Sequence, residues 1–180
     1  ELDSADQTLE TLQTQLASLQ REYREAAQAL SRSRTATASE LAERISTSMH
    51  GLGMPGGRFA ISVTPLPEAQ ATATGQDEIT FMVAANPGQA LAPLAKVASG
   101  GELSRISLAL QVALAGCTAV PTLIFDEVDV GIGGAVAEIV GQLLRRLGGQ
   151  RQVLCVTHLP QVASQGEHHL QVAKHAAADA

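Results

Sequence analysis

Thr122-Leu-Ile-Phe-Asp-Glu127 is the stretch that decides the fold, because it is a short apolar strand that ends in two adjacent carboxylates. A second stretch, Val153-Leu-Cys-Val-Thr-His158, has the same form and ends in a histidine. Helical patterns precede and separate the two strands, over residues 103–115 and 136–147. This alternation predicts an α/β fold with a parallel sheet.

The carboxylates at the end of the first strand are candidates for catalysis, since ligands of open α/β sheets bind at the carboxyl ends of the strands. Asp126 there can hold Mg²⁺, directly or through water, and Glu127 can polarise an attacking water as a general base. Two buried or half-buried acids would also be costly as structure alone. If the strands are neighbours, His158 lies beside the acids, where a neutral imidazole can contact a phosphate or the water.

A serine and two glycines open the helix before the first strand, in the stretch Ser99-Gly-Gly-Glu-Leu-Ser-Arg105. The N–H groups of Gly100 and Gly101 are not obstructed by Cβ atoms, and the helix N-terminus adds unpaired donors and partial positive charge. Such a surface suits a phosphate oxygen. Taken alone, the residues fit a simple helix cap equally well.

A glycine-rich loop, Asp129-Val-Gly-Ile-Gly-Gly134, follows the acid pair. Its glycines favour a tight loop that lets another chain approach, although an ordinary loop before a helix explains them equally well. The sequence contains no Gly-x-x-x-x-Gly-Lys-Ser/Thr stretch, the loop that cradles nucleotide phosphates. We therefore expect half of any nucleotide site to come from another segment or another chain.

Apolar residues recur every seven positions in the first 34 residues, which predicts a coiled coil; a single amphipathic helix packed on a domain is the alternative. We expect this helix to reach about Met49, with an interruption in the Ser/Thr-rich stretch 31–39 left open. Glycines and a proline then separate an arm, residues 1–50, from a head, residues 57–180, which opens with two strands of a hairpin. The heptad positions are Leu2, Leu9, Leu16, Tyr23 and Leu30, with Ala5, Leu12, Leu19 and Ala26 between them.

Composition restricts the function further. The net charge of −6 argues against a domain that binds nucleic acid through bulk positive charge. Cys117 and Cys155 lie in apolar surroundings without metal-ligand spacing and read as reduced thiols. The longest apolar run, residues 106–125, is broken by polar residues, glycine and proline, so that we expect no membrane span and a cytoplasmic protein.

Three stretches, in this order, resemble the SMC-like ABC ATPases, and among them the bacterial members that act in DNA double-strand break repair. They are Lys96-Val-Ala-Ser-Gly-Gly-Glu-Leu-Ser-Arg105, Phe125-Asp-Glu-Val-Asp-Val-Gly-Ile-Gly133 and Cys155-Val-Thr-His-Leu-Pro-Gln-Val-Ala163. The resemblance is strong over residues 78–175 and covers the coiled coil only in kind. It implies the C-terminal lobe of an ABC-type (P-loop) ATPase head with a parallel sheet and a β-hairpin, preceded by a long coiled-coil helix.

The resemblance also implies a role for each site residue. Asp126 resembles the acid that serves Mg²⁺, Glu127 the catalytic base and His158 the switch histidine. The signature motif, which contacts the γ-phosphate of ATP held by an opposite head, would be Ser99, Gly100, Gly101 and Glu102. The loop between heads would contain Asp129, Gly131 and Gly133; many ABC ATPases have an Asp where Gly133 stands, and Asp129 is the candidate substitute.

By this resemblance the protein is an ATPase of DNA double-strand break repair and recombination, with ATP and Mg²⁺ as cofactors. Hydrolysis would require the N-terminal half of the same protein, which carries the phosphate loop, and a second copy of the head; we expect this chain alone to be inactive. DNA would be a partner of the full assembly, in the cytoplasm at the nucleoid and without membrane contact. The alternatives are another SMC-like chromosome-maintenance ATPase and a non-catalytic coiled-coil interaction module.

Overall fold

A computed structural model describes residues 2–97, 99–114 and 120–173, with side chains from residue 7 onward. A long N-terminal helix leads into an antiparallel sheet, after which helices and parallel strands alternate. The helices are α1 (Leu2–Gly51), α2 (Gly100–Ala113), α3 (Gly134–Gly148) and α4 (Pro160–Ala163), with 3₁₀ turns at Glu68–Gln70 and Leu94–Lys96. The strands are β1 (Arg58–Pro65), β2 (Asp77–Ala84), β3 (Ala92–Pro93), β4 (Thr122–Phe125) and β5 (Gln152–Cys155).

The described strands form two sheets. The first is antiparallel with the order β1-β2-β3, and its hairpin pairs Arg58 with Ala84 and Pro65 with Asp77. In the second, β4 and β5 are parallel, with Phe125 opposite Cys155. The predicted mixture of a parallel pair with a hairpin is therefore confirmed, and the two strands that end in acids and histidine are neighbours.

Helix α1 runs without a break through its 50 residues, so the interruption left open over 31–39 does not occur. Its hydroxyl side chains bond back into the helix, as when Thr35 Oγ1 donates to the carbonyl of Ser31 at 2.9 Å. Helix α2 begins three residues before the predicted start, because Ser99 caps it. The predicted end of α2 at Ala115 lies outside the described residues.

The hydrophobic core joins the end of α1 to both sheets and to α2 and α3. Since the chain has few aromatic residues, aliphatic side chains and methionine fill this space. Arg44 of α1 also donates to the carbonyl of Ala113 at 2.9 Å, which satisfies an acceptor at the end of α2. The largest fully buried apolar side chains are Ile45, Met49, Leu52, Ile106, Leu108, Val128 and Val140.

Polar contacts fasten the β1–β2 hairpin to the middle of α1; we call them the arm–hairpin contact. Tyr23 donates its hydroxyl to the carbonyl of Thr72 at 3.0 Å. Further along α1, the Ser31 hydroxyl lies 2.7 and 2.8 Å from the two carboxylate oxygens of Asp77. Arg34 donates to Asp77 Oδ2 at 3.0 Å and to the carbonyl of Thr74 at 2.7 Å. The hairpin therefore lies along α1 from Tyr23 onward, although the heptad positions Ala26 and Leu30 remain exposed.

The heptad stripe before Tyr23 is uncovered in this structure. Leu9, Leu12, Leu16 and Leu19 have 55% to 63% of their surface exposed. A second helix laid along this stripe would bury these leucines. The coiled coil itself stays a prediction.

Asp77 gives a testable pH dependence. The hydrogen bonds from Ser31 and then from Arg34 hold the pKa of the Asp77 carboxyl below its ordinary value of 3.8. A carboxyl with a lowered pKa in the folded state stabilises the fold above its unfolded pKa, and this contribution is lost as the pH falls through the folded pKa. We expect the free energy of unfolding of the chain to decline below about pH 4, and Asp77→Asn to remove that part of the decline.

Urea unfolding at a series of acidic and neutral pH values measures this effect. Glu78→Gln is the matched control, since Glu78 is exposed on the same strand. If Asp77→Asn changed the free energy of unfolding by the same amount at every pH, the prediction would be contradicted.

Candidate functional site

The candidate site lies at the carboxyl edge of the β4–β5 pair. Asp126 and Glu127 directly follow β4, and His158 comes three residues after the end of β5. Both acids are exposed, and the His158 side chain is 70% exposed. The expectation of buried or half-buried acids was therefore wrong, because within the described residues both acids lie on the surface. Asp126 Oδ1 accepts the backbone N–H of Glu127 at 2.9 Å, which ties the two acids together.

Glu127 has an unusual backbone. Its φ of 57° is left-handed, and no other non-glycine residue of the described ranges has a positive φ. This conformation costs an L-residue about 1 to 2 kcal/mol, a strain that clusters at functional sites. The Glu127 side chain reaches Gly100 at the start of α2, where an added Cβ would overlap its Oε2. A side chain at position 100 is thus incompatible with the present place of this carboxylate.

Ser99 and Glu102 organise the N-terminus of α2. Ser99 Oγ accepts the backbone N–H of Glu102 at 3.3 Å, so this residue is the N-cap. Its hydroxyl hydrogen stays available as a donor. The Glu102 carboxylate accepts from Asn86 Nδ2 at 3.2 Å, which holds it toward the end of β2. The structure confirms the helix cap, and the phosphate contact of the signature motif stays a prediction.

Arg105 joins α2 to the loop after the acid pair. Its Nη1 donates to the carbonyl of Val130 at 2.6 Å, and a Cβ on Gly101 would lie 3.2 Å from the same oxygen. Burial lowers the pKa of the Arg105 guanidinium, and the charge of Glu102 partly opposes this. No role for Arg105 was predicted from the sequence. The signal was an arginine set among the apolar residues of a helix.

The loop after the acid pair turns one residue inward and leaves two glycines open. Asp129 is 2% exposed, and its carboxylate contacts Thr157 and His158 of its own chain. A Cβ on Gly131 or Gly133 would meet no atom within 4 Å. The inter-head role of this loop stays a prediction. Thr157 is a second residue for which no role was predicted from the sequence.

Asp126 fits a magnesium ion that is bound largely by water and phosphate oxygens. Its carboxylate is exposed, and the one hydrogen bond it accepts leaves lone pairs free. Within the described residues, no group of three or more His, Cys, Asp or Glu side chains could hold a metal ion by itself. Mg²⁺ commonly binds through one or two carboxylates together with substrate phosphates, which suits this arrangement.

The surroundings of Cys155 show that the strand edge is acidic. Burial, together with the charges of Asp129 and then Asp126, raises the pKa of the Cys155 thiol to about 11. Cys155 is a free thiol, as predicted, whereas Cys117 lies outside the described residues. Over the described ranges, no helix is both long and apolar enough to cross a membrane.

Comparison with known proteins identifies relatives along nearly the whole chain, although no protein-family model matches it. The chain is 52% identical over 174 residues to the DNA repair protein RecN of Vibrio cholerae, covering 97% of this chain and 31% of that protein. It is 49% identical over 166 residues to RecN of Xylella fastidiosa, covering 92% of this chain and 30% of that protein. RecN of Deinococcus radiodurans is 40% identical over 173 residues, covering 96% of this chain. The chain thus spans about 30% of the length of these relatives.

Solved structures with the same fold are SMC head domains. The Smc head domain with a coiled coil and joint from Pyrococcus yayanosii has a TM-score of 0.63 and 20% identity, covering 93% of this chain and 30% of that chain. The Smc head domain from Pyrococcus furiosus, bound to the C-terminal domain of ScpA, has a TM-score of 0.60 and 18% identity, covering 88% of this chain and 38% of that chain. The chain is therefore homologous to the DNA repair protein RecN over about 30% of the length of that protein, and its fold is that of part of an SMC head domain.

Proposed function

We propose that this chain is the catalytic half-head of an SMC-like ATPase of DNA double-strand break repair and recombination. The observation that carries the proposal is the convergence of Asp126, Glu127 and His158 at one edge of the parallel β4–β5 pair. Asp126 would hold Mg²⁺ beside the nucleotide phosphates, and Glu127 would take a proton from the attacking water. His158 would contact the γ-phosphate or that water through its exposed ring.

The phosphate loop is proposed to come from the N-terminal half of the same protein, seated on an uncovered face of the β4–β5 pair. Leu123 and Phe125 face the core, whereas Ile124 is 71% and Val156 62% exposed. Leu154, paired with Ile124, is also exposed. Parallel strands of α/β proteins are normally covered on both faces. This face is apolar, and the sequence contains no phosphate loop. Both observations are explained if one further segment of the protein covers the face and carries the loop.

The signature residues at the start of α2 are proposed to serve ATP held by a second copy of the head. Gly100 and Ser99 are exposed, and the Ser99 hydroxyl and the first N–H groups of α2 are donors suited to a phosphate. The negative net charge disfavours this chain as the main DNA-binding surface, so DNA contact is assigned to the full assembly in the cytoplasm at the nucleoid. The names of the relatives favour DNA repair over other chromosome maintenance.

Recombining the two halves tests this proposal. We expect the pure 180-residue chain to show no steady-state ATP hydrolysis above a protein-free blank, because it has no phosphate loop. Adding the N-terminal segment of the same protein that carries the loop should restore hydrolysis. Ile124→Lys in the chain, which places a charge on the uncovered face, should prevent this recovery. Turnover by the chain alone, or no gain on mixing two folded halves, would count against the proposal.

A further inference from the structure

Three groups of Thr157 and His158, in the turn that follows β5, surround a single buried oxygen of Asp129. Its Oδ2 accepts the Thr157 hydroxyl at 2.5 Å and the backbone N–H of His158 at 3.2 Å, and the Nδ1 atom of His158 lies 3.4 Å away. The side chain of Asp129 is 3% exposed, whereas that of His158 is 70% exposed. The carboxylate is thus inside the protein, and the ring that it contacts points one edge outward.

Burial of a carboxylate is costly unless donors surround it, and here the donors come from the turn that carries His158. A carboxylate facing Nδ1 favours a proton on that nitrogen, which leaves Nε2 of the neutral ring without a proton. The two ring nitrogens are then distinct: Nδ1 is held inside and Nε2 is presented to the site. Thr157 stabilises the same turn, because its hydroxyl also accepts the N–H of Leu159 at 3.1 Å.

We propose that Asp129 is a positioning residue for His158, which fixes the orientation and the Nδ1–H tautomer of its imidazole. The inference rests on the proposed function, in which His158 contacts the reacting phosphate or water. By this inference, the loop after the acid pair positions a residue of the head to which the loop itself belongs. The carbonyl of the neighbouring residue Val130 accepts from Arg105 Nη1, so the loop that holds His158 also contacts α2.

A double-mutant cycle in the full-length protein tests the inference. Asp129→Asn keeps the shape but can turn an amide N–H toward Nδ1, so we expect kcat for ATP hydrolysis to fall about 10-fold or more, with KM within about twofold. His158→Ala should lower kcat further, and the double variant should equal His158→Ala, since Asp129 acts through the ring. A double variant slower than His158→Ala by the full factor of Asp129→Asn would overturn the inference.

The matched control is Asp77→Asn. Asp77 is also a buried carboxylate that accepts a serine hydroxyl, but it belongs to the arm–hairpin contact. It should leave basal kcat unchanged, and thermal melting of each variant reports the state of the fold. Loss of kcat in Asp77→Asn equal to that in Asp129→Asn would mean that any buried carboxylate has this effect, and would overturn the inference.

The tautomer provides a readout in the wild-type protein itself. In full-length protein labelled with ¹⁵N-histidine, the imidazole ¹⁵N shifts of His158, assigned by their loss in His158→Ala, should show a protonated Nδ1 and an unprotonated Nε2. An unprotonated Nδ1 in the wild type would overturn the inference. If His158→Ala kept full turnover, the proposed role of His158 would fail, whereas the tautomer would still decide what Asp129 does to the ring.

Discussion

Replacing Glu127 with Gln in the full-length protein is expected to abolish ATP turnover while ATP binding is retained. The amide keeps the shape of the side chain but cannot take a proton from the attacking water, and general bases contribute about 100-fold or more to rate. The left-handed backbone of residue 127 is unchanged by this substitution, so the fold should be unaffected.

Single-turnover hydrolysis and equilibrium nucleotide binding measure the two halves of this expectation. Glu138→Gln is the matched control, because Glu138 is exposed on α3 and its only described hydrogen bond is with Gln142. Unchanged turnover in Glu127→Gln would remove the catalytic assignment and favour the non-catalytic interaction module. Loss of nucleotide binding would instead assign this residue to the binding of ATP.

Gly100→Ala is expected to lower turnover by roughly 100-fold, although residue 100 carries no reactive group. The new Cβ would overlap the Glu127 carboxylate and displace it from its present position. Since the displaced atoms are the end of a flexible side chain, the free energy of unfolding should change by no more than about 1 kcal/mol.

Steady-state hydrolysis by the full-length protein and urea unfolding of the same variants separate these effects. Gly148→Ala is the matched control, because it is also a helical glycine and a Cβ there would meet nothing within 4 Å. It should leave turnover unchanged. Equal turnover in Gly100→Ala and wild type would show that the contact between residues 100 and 127 does not matter for the reaction.

Local pattern was sufficient to predict the elements that carry the site. Both ends of β4 were predicted correctly, because Pro121 precedes the apolar run and two acids follow it. β5 was predicted one residue late, over 153–156, and Val156 N–H still pairs with the carbonyl of Phe125 at 2.9 Å. The α/β alternation predicted a parallel sheet but left open whether these two strands are neighbours. The structure pairs them, which brings His158 to the edge that carries the acids.

What the sequence did not predict depends on contacts between distant segments. Nothing local indicates that Asp77 bonds to Ser31, which is 46 positions away. In the sequence, Asp129 is simply a residue of a loop. Only the contact between this loop and the turn after β5 shows that its carboxylate is buried and bonded to His158. The exposure of Asp126 and Glu127 was missed for the same reason, since burial at a sheet edge depends on what other segments lie there.

The arm–hairpin contact has a mechanical consequence. Helix α1 is 50 residues long, or about 75 Å, and the hairpin holds it from Tyr23 onward. The 21 residues of α1 before Tyr23 form a lever of about 30 Å beyond the last support. A rotation of the head by about 10° therefore moves the tip of this lever by about 5 Å, as far as one turn of helix. A small rotation at the carboxyl edge of the β4–β5 pair would thus be transmitted as a larger displacement at the tip of the arm.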